Sequence, residues 1–212
     1  MTLGFNPMVR LLGLLPMGQA LYALGQYKEA KELFQQIRKT GREFGREDIS
    51  HGTLYWLGMI AFSKKDFTRA TQQYQESLAW AVEVADLELI VQNHNALGRL
   101  GLKTGRGIEA REHFRAALRT SIPLGRPPLI LDCMAGIAEL YAGEGDLEQA
   151  ALLAARAAED VAIQAEVKQR CERLLARIKA DLSSNDLDAV LQRSLQPDLG
   201  TMATRLSVDL EE

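Results

Sequence analysis

A register that recurs at every fortieth position constrains the fold of this 212-residue chain more than any other feature. Two series of small residues carry it, and the spacing within each series is constant. They are Gly18, Gly58, Gly98 and Ala138, and then Ala30, Ala70, Ala110 and Ala150. Self-similarity at a fixed period is the signature of stacked repeats, in which each unit buries its apolar face against its neighbours. The chain is therefore expected to form a solenoid, which presents a long surface for binding.

The second repeat indicates how one unit is built. Its apolar residues fall into two stripes at helical spacing, separated by the polar segment 64–66. The stripes are Leu54, Leu57, Gly58 and Ala61, followed by Phe67, Ala70, Tyr74 and Leu78. They predict two amphipathic helices joined as an antiparallel hairpin. Glycine inside a helix costs about 1 kcal/mol relative to alanine. We therefore expect Gly58 to allow close approach of a neighbouring backbone, with alanines such as Ala70 as the matching small residues.

Glycines are predicted to end the first helix of most repeats. Gly25, Gly105 and Gly145 occupy this position, where a left-handed backbone conformation favours glycine. Lys65 replaces glycine in the second repeat, so that turn is expected to be the most strained. Pro16 lies within the first apolar stripe and is expected to kink or begin that helix.

The pattern resembles the tetratricopeptide repeat family. The segments LYWLGMIAFSKKDFTRATQQY and NALGRLGLKTGRGIEAREHF carry its Leu-Gly pair, its turn, and its alanine and aromatic residue in the second helix. The unit here is longer than the form of about 34 residues that is common in that family. This long form is similar to the repeat arrays at the C-terminal ends of bacterial signalling ATPases and transcriptional regulators. Heat and armadillo repeats are the structural alternative, but they lack this Leu-Gly register.

The resemblance implies an all-α, right-handed α–α superhelix of about five helical hairpins with C-terminal closing helices. Residues 1–15 are expected to form an apolar helical segment and residues 16–160 four repeats. Residues 161–212 are expected to hold a degenerate fifth repeat, in which NDLDAV at 185–190 lies one period after GDLEQA at 145–150, and the capping helices.

The composition of the chain limits the classes of function that it can have. The net charge of −3 gives no reason to expect nucleic acid, which requires a concentrated basic face. The apolar start of the chain is interrupted by Gly13 and Pro16, so neither a secretory signal nor a membrane span is expected. Cys133 and Cys171 lie far apart in the chain without a metal-ligand motif, which predicts unpaired thiols and a cytoplasmic protein.

The sequence gives little indication of a catalytic site. His51, His94 and His113 share no metal-ligand spacing, and His94 is expected to be a half-buried packing residue. Cys133 lies in an apolar segment that favours an inert, buried thiol. We therefore expect no enzyme, no metal site and no cofactor.

The resemblance also assigns an inner, concave face to residues of the first helices that lie off the packing stripe. By register these are Gln19, Tyr22, Tyr55, Met59, Phe62, Asn95, Arg99, Leu102, Asp132 and Glu139. Their aromatic and methionine side chains suit adaptable contacts with a protein or peptide partner, although the same residues could pack against C-terminal helices or a neighbouring unit. The predicted function is non-catalytic binding of a protein segment. The alternatives are a regulatory sensor module beside an ATPase or DNA-binding domain, and self-assembly into a homo-oligomer.

Overall fold

The computed structural model describes residues 7–181, 189–190, 192 and 198–210, and every regular element in these ranges is an α-helix. This confirms the predicted all-α class. The helices are α1 (Pro7–Ala23), α2 (Tyr27–Glu43), α3 (Glu47–Ser63), α4 (Phe67–Glu83), α5 (Leu87–Lys103), α6 (Gly107–Leu124), α7 (Pro127–Glu144), α8 (Leu147–Glu159), α9 (Ala165–Ile178) and α10 (Leu199–Asp209).

The repeat period arises from two helices of nearly equal length. From α2 to α8 the helices begin at a constant interval of half a period, at positions 27, 47, 67, 87, 107, 127 and 147. The helices α2 to α7 have 17 or 18 residues, and short turns connect them. The four predicted hairpins are therefore α1–α2, α3–α4, α5–α6 and α7–α8.

The chain divides into two compact units, Met1–Ala85 and Asp86–Glu212. In the first unit, α1 to α4 pack in chain order around a core that includes Phe34, Ile37 and Ile60. In the second unit, α5 to α8 form two packed hairpins, α9 packs against α7 and α8, and α10 packs against α6 and α7. Both α9 and α10 contribute buried side chains to the core of that unit.

The turn glycines adopt the predicted left-handed conformation. Gly25, Gly105 and Gly145 have φ angles of 75°, 73° and 90°. Lys65, at the equivalent position of the second repeat, has a φ of 61°, so the expected strain of this turn is confirmed. Ala85, after α4, has a φ of 54°, which the sequence reasoning did not anticipate.

Replacing Lys65 with glycine should stabilise the first unit by about 0.5–1 kcal/mol, because a left-handed conformation is costly for any residue with a Cβ. Trp56 and Trp80 are the two tryptophans of the chain and both belong to this unit. Urea unfolding followed by tryptophan fluorescence therefore measures its stability. Lys64→Gly is the control, since it removes the same charge at a φ of −86°. An equal gain from both variants would contradict the strain at Lys65.

Aspartates fix the beginnings of several helices. The carboxylates of Asp66, Asp86 and Asp146 accept hydrogen bonds from backbone amides three residues later, at 3.1–3.2 Å. Each bond satisfies an amide that has no partner within its helix, which contributes about 1 kcal/mol. These caps and the turn glycines fix several of the helix boundaries from local sequence.

The small residues of the first series are buried, but their partners differ from the prediction. A Cβ built on Gly18, Gly58 or Gly98 would lie 2.6–2.7 Å from an aromatic ring carbon of the following helix. The three rings belong to Phe34, Tyr74 and Phe114, which follow their glycines at one fixed offset in the chain. The expected contact with a backbone opposite an alanine is therefore wrong at these positions. The ring can lie against the glycine because glycine has no side chain. A side chain at that position would occupy the space of the ring.

Two further expectations concern the ends of the chain. Pro16 lies inside α1, which begins at Pro7, so the prediction that Pro16 begins this helix is wrong, and α1 runs across the proposed boundary after residue 15. Most of the NDLDAV segment lies outside the described residues. None of the described helices is long and apolar enough to cross a membrane.

Candidate protein-binding faces

The predicted inner-face residues divide between the two units. In the first unit they lie on α1 and α3, and in the second on α5 and α7. The first group is Gln19, Tyr22, Tyr55, Met59 and Phe62, and the second is Asn95, Arg99, Leu102, Asp132 and Glu139. Each group belongs to the first helices of successive hairpins, as the register predicts.

In the first unit, aromatic contacts tie α1 to α3. The Tyr22 hydroxyl lies 3.2 Å from Ser63 Oγ, and the Tyr22 ring centroid lies 5.8 Å from that of Trp56. The Tyr55 ring meets Trp56 edge-on at 5.3 Å. Met59 is only 5% exposed, so it offers little surface to a partner. These side chains pack within the unit, and Tyr22 and Tyr55 remain partly accessible.

The remaining residues of this group differ in how much surface they expose. Phe62 is half-buried and its ring lies 5.8 Å from that of Phe67, whereas Gln19 is exposed. Because Tyr55 and Phe62 both pack inside the unit, alanine at either position would remove stabilising contacts as well as binding surface. A loss of binding in such variants would therefore not separate the two roles.

In the second unit, a polar network joins three helices. Asn95 on α5 donates from Nδ2 to Asp132 Oδ2 on α7 at 2.5 Å. Arg170 on α9 donates from Nη1 to Asp132 Oδ1 at 2.7 Å and from Nε to Glu139 Oε1 at 3.0 Å. Two of the predicted inner-face carboxylates are thus bound by an arginine of the same chain. Asn95 is 2% exposed and serves as a buried support for Asp132.

Arg170 is the residue of this network that the sequence reasoning missed. It is 7% exposed and lies on the same face of α9 as Val167, Cys171 and Leu174, which are also buried. Burial by itself would lower the pKa of Arg170, but the charges of Glu139 and Asp132 and their hydrogen bonds raise it above its ordinary value. A signal was present in the sequence, because an arginine interrupts an otherwise apolar helical stripe.

A cleft of about 460 Å³ lies beside this network, between α5, α7 and α9. Three predicted inner-face residues line it, namely Arg99, Leu102 and Glu139. The additional lining residues are Lys103, Gly143, Arg170, Arg173, Leu174 and Arg177. Four of the lining residues belong to α9, so this helix forms one wall of the cleft. It does not cover the inner face of α5 and α7 completely.

A second cavity, of about 390 Å³, lies in the first unit between α2 and α4. Arg38, Lys39, Arg42 and Arg69 are among its lining residues. Much of this positive charge is compensated, because Arg38 pairs with Glu76 at 2.6 Å and Lys39 lies 3.9 Å from Glu43. The cavity is formed mainly by second helices, which the register does not assign to the inner face.

Two of the histidines meet in the third hairpin. His94 Nδ1 on α5 lies 3.0 Å from His113 Nδ1 on α6, so one nitrogen donates and the other accepts. His94 is half-buried, as predicted, but its pairing with His113 was not anticipated. Within the described residues, no three His, Cys, Asp or Glu side chains are grouped so that they could hold a metal ion.

We expect the second unit to lose stability as the pH falls from 6.5 towards 4. Burial, followed by repulsion from His113, lowers the pKa of His94 from its ordinary value of 6.5 to about 4. In this range the unfolded chain takes up a proton on the His94 ring, whereas the folded chain does not. Acid therefore shifts the equilibrium towards unfolding. The stability that the neutral His94 ring contributes is fully present only above pH 6.5. Urea titrations at a series of pH values, followed by circular dichroism, will measure it.

The control for this prediction is a pair of single variants. His94→Gln should remove part of the pH dependence, while His51→Gln, which lies in the first unit, should retain the slope of the unmodified protein. A His94→Gln variant with an unchanged slope would contradict the role of this ring.

The two cysteines are free and buried. Burial raises the pKa of the Cys133 thiol above its ordinary value and that of Cys171 to about 11. Both thiols are therefore expected to be protonated near neutral pH, and the predicted burial of Cys133 is confirmed.

Comparison with known proteins finds a similarity in the first part of the chain. Residues 15–82 match the family model of the tetratricopeptide repeat. No curated protein matches the chain. The matched stretch covers the end of α1 and nearly all of α2 to α4, which are the two hairpins of the first unit. It includes Gly58 on α3 and Tyr74 on α4, which lie in close contact. The tetratricopeptide resemblance is thereby supported for this unit, and the similarity to arrays of signalling proteins stays a prediction.

Proposed function

We propose that this chain is a non-catalytic module that binds a segment of a partner protein on its inner face. Tetratricopeptide repeats generally mediate protein–protein interaction. The single observation that carries the proposal is the cleft of the second unit, which brings Arg99, Leu102 and Glu139 together at one opening. These residues come from two different hairpins and share only their position in the repeat register.

The form of the cleft supports binding of an extended segment. Its walls are three helices held together by the buried network of Arg170, so few side chains have to be ordered when a partner binds. A volume of about 460 Å³ accommodates several side chains of a peptide rather than a whole domain. Leu102 and Leu174 supply apolar surface between the charged groups.

Site-specific crosslinking tests the proposal. A photoreactive benzoylphenylalanine at Leu102 would place the probe in the cleft, and the same residue at Ile108, which is 84% exposed on α6, would serve as the control. We expect a crosslink to one partner chain from position 102 but not from position 108 after irradiation in cells that produce the protein. Mass spectrometry of the crosslinked peptide then identifies the bound segment.

The same experiment separates the alternatives. A crosslink from position 102 to a second copy of this chain would favour self-assembly over binding of a different protein. Equal crosslinking from both positions, or none from position 102, would overturn the inner-face proposal. Whether the module works beside an ATPase or DNA-binding domain in the cytoplasm stays a prediction.

A further inference from the structure

We propose that the cleft between α5, α7 and α9 selects an acidic, extended segment of its partner and that α9 supplies the selecting arginines. This inference rests on the proposed function and names the chemistry of the ligand. The repeat register predicted only the α5 and α7 walls, whereas the selecting helix lies outside the stretch that matches the tetratricopeptide repeat.

The lining of the cleft carries a clear excess of positive charge. Among the residues that the structure describes, five cationic side chains and one carboxylate, that of Glu139, line it. They are Arg99, Lys103, Arg170, Arg173 and Arg177. With Asp132, which also binds Arg170, the described residues place five cations beside two carboxylates. The whole chain has a net charge of −3, so the basic cleft is a local arrangement rather than a result of composition. A partner that enters it gains most from acidic side chains.

Arg170 provides a second, independent indication of an acceptor ligand. Its Nε and Nη1 atoms bind Glu139 and Asp132, but its buried Nη2 has no hydrogen-bond partner within the described part of the chain. A buried donor without a partner is destabilising, because it has lost its hydrogen bonds to water and gained none in return. An oxygen acceptor that enters the cleft beside Arg170 would satisfy this nitrogen and strengthen binding.

The spacing on α9 suggests how an extended segment would lie. Arg173 and Arg177 are four residues apart and therefore one turn apart on an exposed face of α9, about 6 Å along its axis. Alternate residues of an extended chain point to the same side at intervals of about 6.6 Å. A segment with glutamates at positions i and i+2 would thus pair with both arginines at once. Arg173 Nε donates to the carbonyl of Gln169 at 3.2 Å, which helps to orient its guanidinium.

Binding of defined peptides tests the inference. The probe is a short, fluorescently labelled peptide with glutamate at alternate positions and both termini blocked, and its matched partner carries glutamine instead. We expect the glutamate peptide to bind the full chain at least about tenfold more tightly than the glutamine peptide. Its affinity should also fall with rising salt concentration. Fluorescence anisotropy at two salt concentrations gives both quantities.

Charge-matched variants locate the site. Arg173→Gln combined with Arg177→Gln should weaken binding of the glutamate peptide about tenfold. Arg119→Gln combined with Arg205→Gln removes the same charge from exposed positions outside the cleft lining and should leave binding unchanged. Because Arg173 and Arg177 are exposed, their variants should keep the helical signal and melting temperature of the unmodified chain.

Several results would overturn the inference. One is equal affinity for the two peptides, and another is equal weakening of binding by both double variants. A third is that inorganic phosphate or a single-stranded oligonucleotide displaces the labelled peptide as effectively as the unlabelled glutamate peptide does. The last result would identify a general anion site. A crosslink from position 102 to a partner segment without acidic residues would refute the acidic ligand while leaving the proposed binding function intact.

Discussion

Replacing Gly58 with leucine should destabilise the first unit by about 2–3 kcal/mol. A Cβ at this position would lie 2.6 Å from Cε1 of Tyr74 and 2.7 Å from its Cδ1. The Tyr74 side chain is 1% exposed and fully enclosed, so its ring cannot move away without disturbing the α3–α4 contact. This cost exceeds the gain of up to about 1 kcal/mol that leucine brings over glycine in a helix.

The matched control for this prediction lies on the same helix. A Cβ at Gly52 would meet nothing within 4 Å outside its own helix, so Gly52→Leu should not destabilise the unit. Urea unfolding followed by tryptophan fluorescence reports the first unit for both variants. In thermal unfolding followed by the same fluorescence signal, the melting temperature of Gly58→Leu is expected to fall by roughly 10 °C. A melting temperature equal to that of the unmodified chain would contradict the close contact between Gly58 and Tyr74.

The fourth repeat supports the same rule. There the register position is Ala138 instead of glycine, and the residue at the offset of the aromatic ring is Ala154. Both are fully buried. We infer that the small residue at position 154 leaves room for the Cβ of Ala138, as glycine leaves room for the aromatic ring in the other repeats. Combining Gly58→Ala with Tyr74→Ala should therefore show positive coupling relative to the sum of the single variants.

Replacing Arg170 with methionine should destabilise the second unit by about 3 kcal/mol. The change leaves the carboxylates of Asp132 and Glu139 on α7 without their cation. These groups are 28% and 26% exposed, so water recovers part of the loss and the cost stays at the lower end for a broken ion-pair network. Hydrogen exchange of the α9 amides should rise at the same time, because α9 loses its polar link to α7.

Two control variants distinguish the loss of this network from a general effect of removing a charge. Arg173→Met removes the same charge from an exposed position of α9 and should change stability by less than about 0.5 kcal/mol. Adding Asp132→Asn and Glu139→Gln to Arg170→Met should restore much of the lost stability, since no unpaired charge then remains. A single Arg170→Met variant that unfolds at the same urea concentration as the unmodified chain would refute the structural role of the network.

The turns within the hairpins and the buried small positions were predictable, because they depend on residues that are close in the sequence. The φ of 61° at Lys65 follows from its place at the end of a helix in a register where other repeats have glycine. The burial of Gly58 follows from the apolar stripe of α3. What lies against Gly58 could not be predicted, because it depends on how far α4 is shifted along α3.

The inner-face residues show what the repeat register could and could not predict. It placed Asp132 and Glu139 on one face of α7, and both carboxylates do lie on a shared side, where Arg170 binds them. It could not indicate that the bound cation belongs to the chain itself. The register likewise placed His94 on a packing face but did not pair it with His113.

The amino-acid pattern was sufficient to define the helical class, the repeat period, the turns within the hairpins and the apolar faces of the repeat helices. These features arise from contacts between near neighbours in the chain and from periodic patterning, which the sequence records directly. The packing of the folded chain was needed to show which long side chains meet across helices, as Arg170 meets Asp132 at a separation of 38 residues. Such meetings depend on the relative placement of packed helices, and many placements satisfy the same apolar pattern.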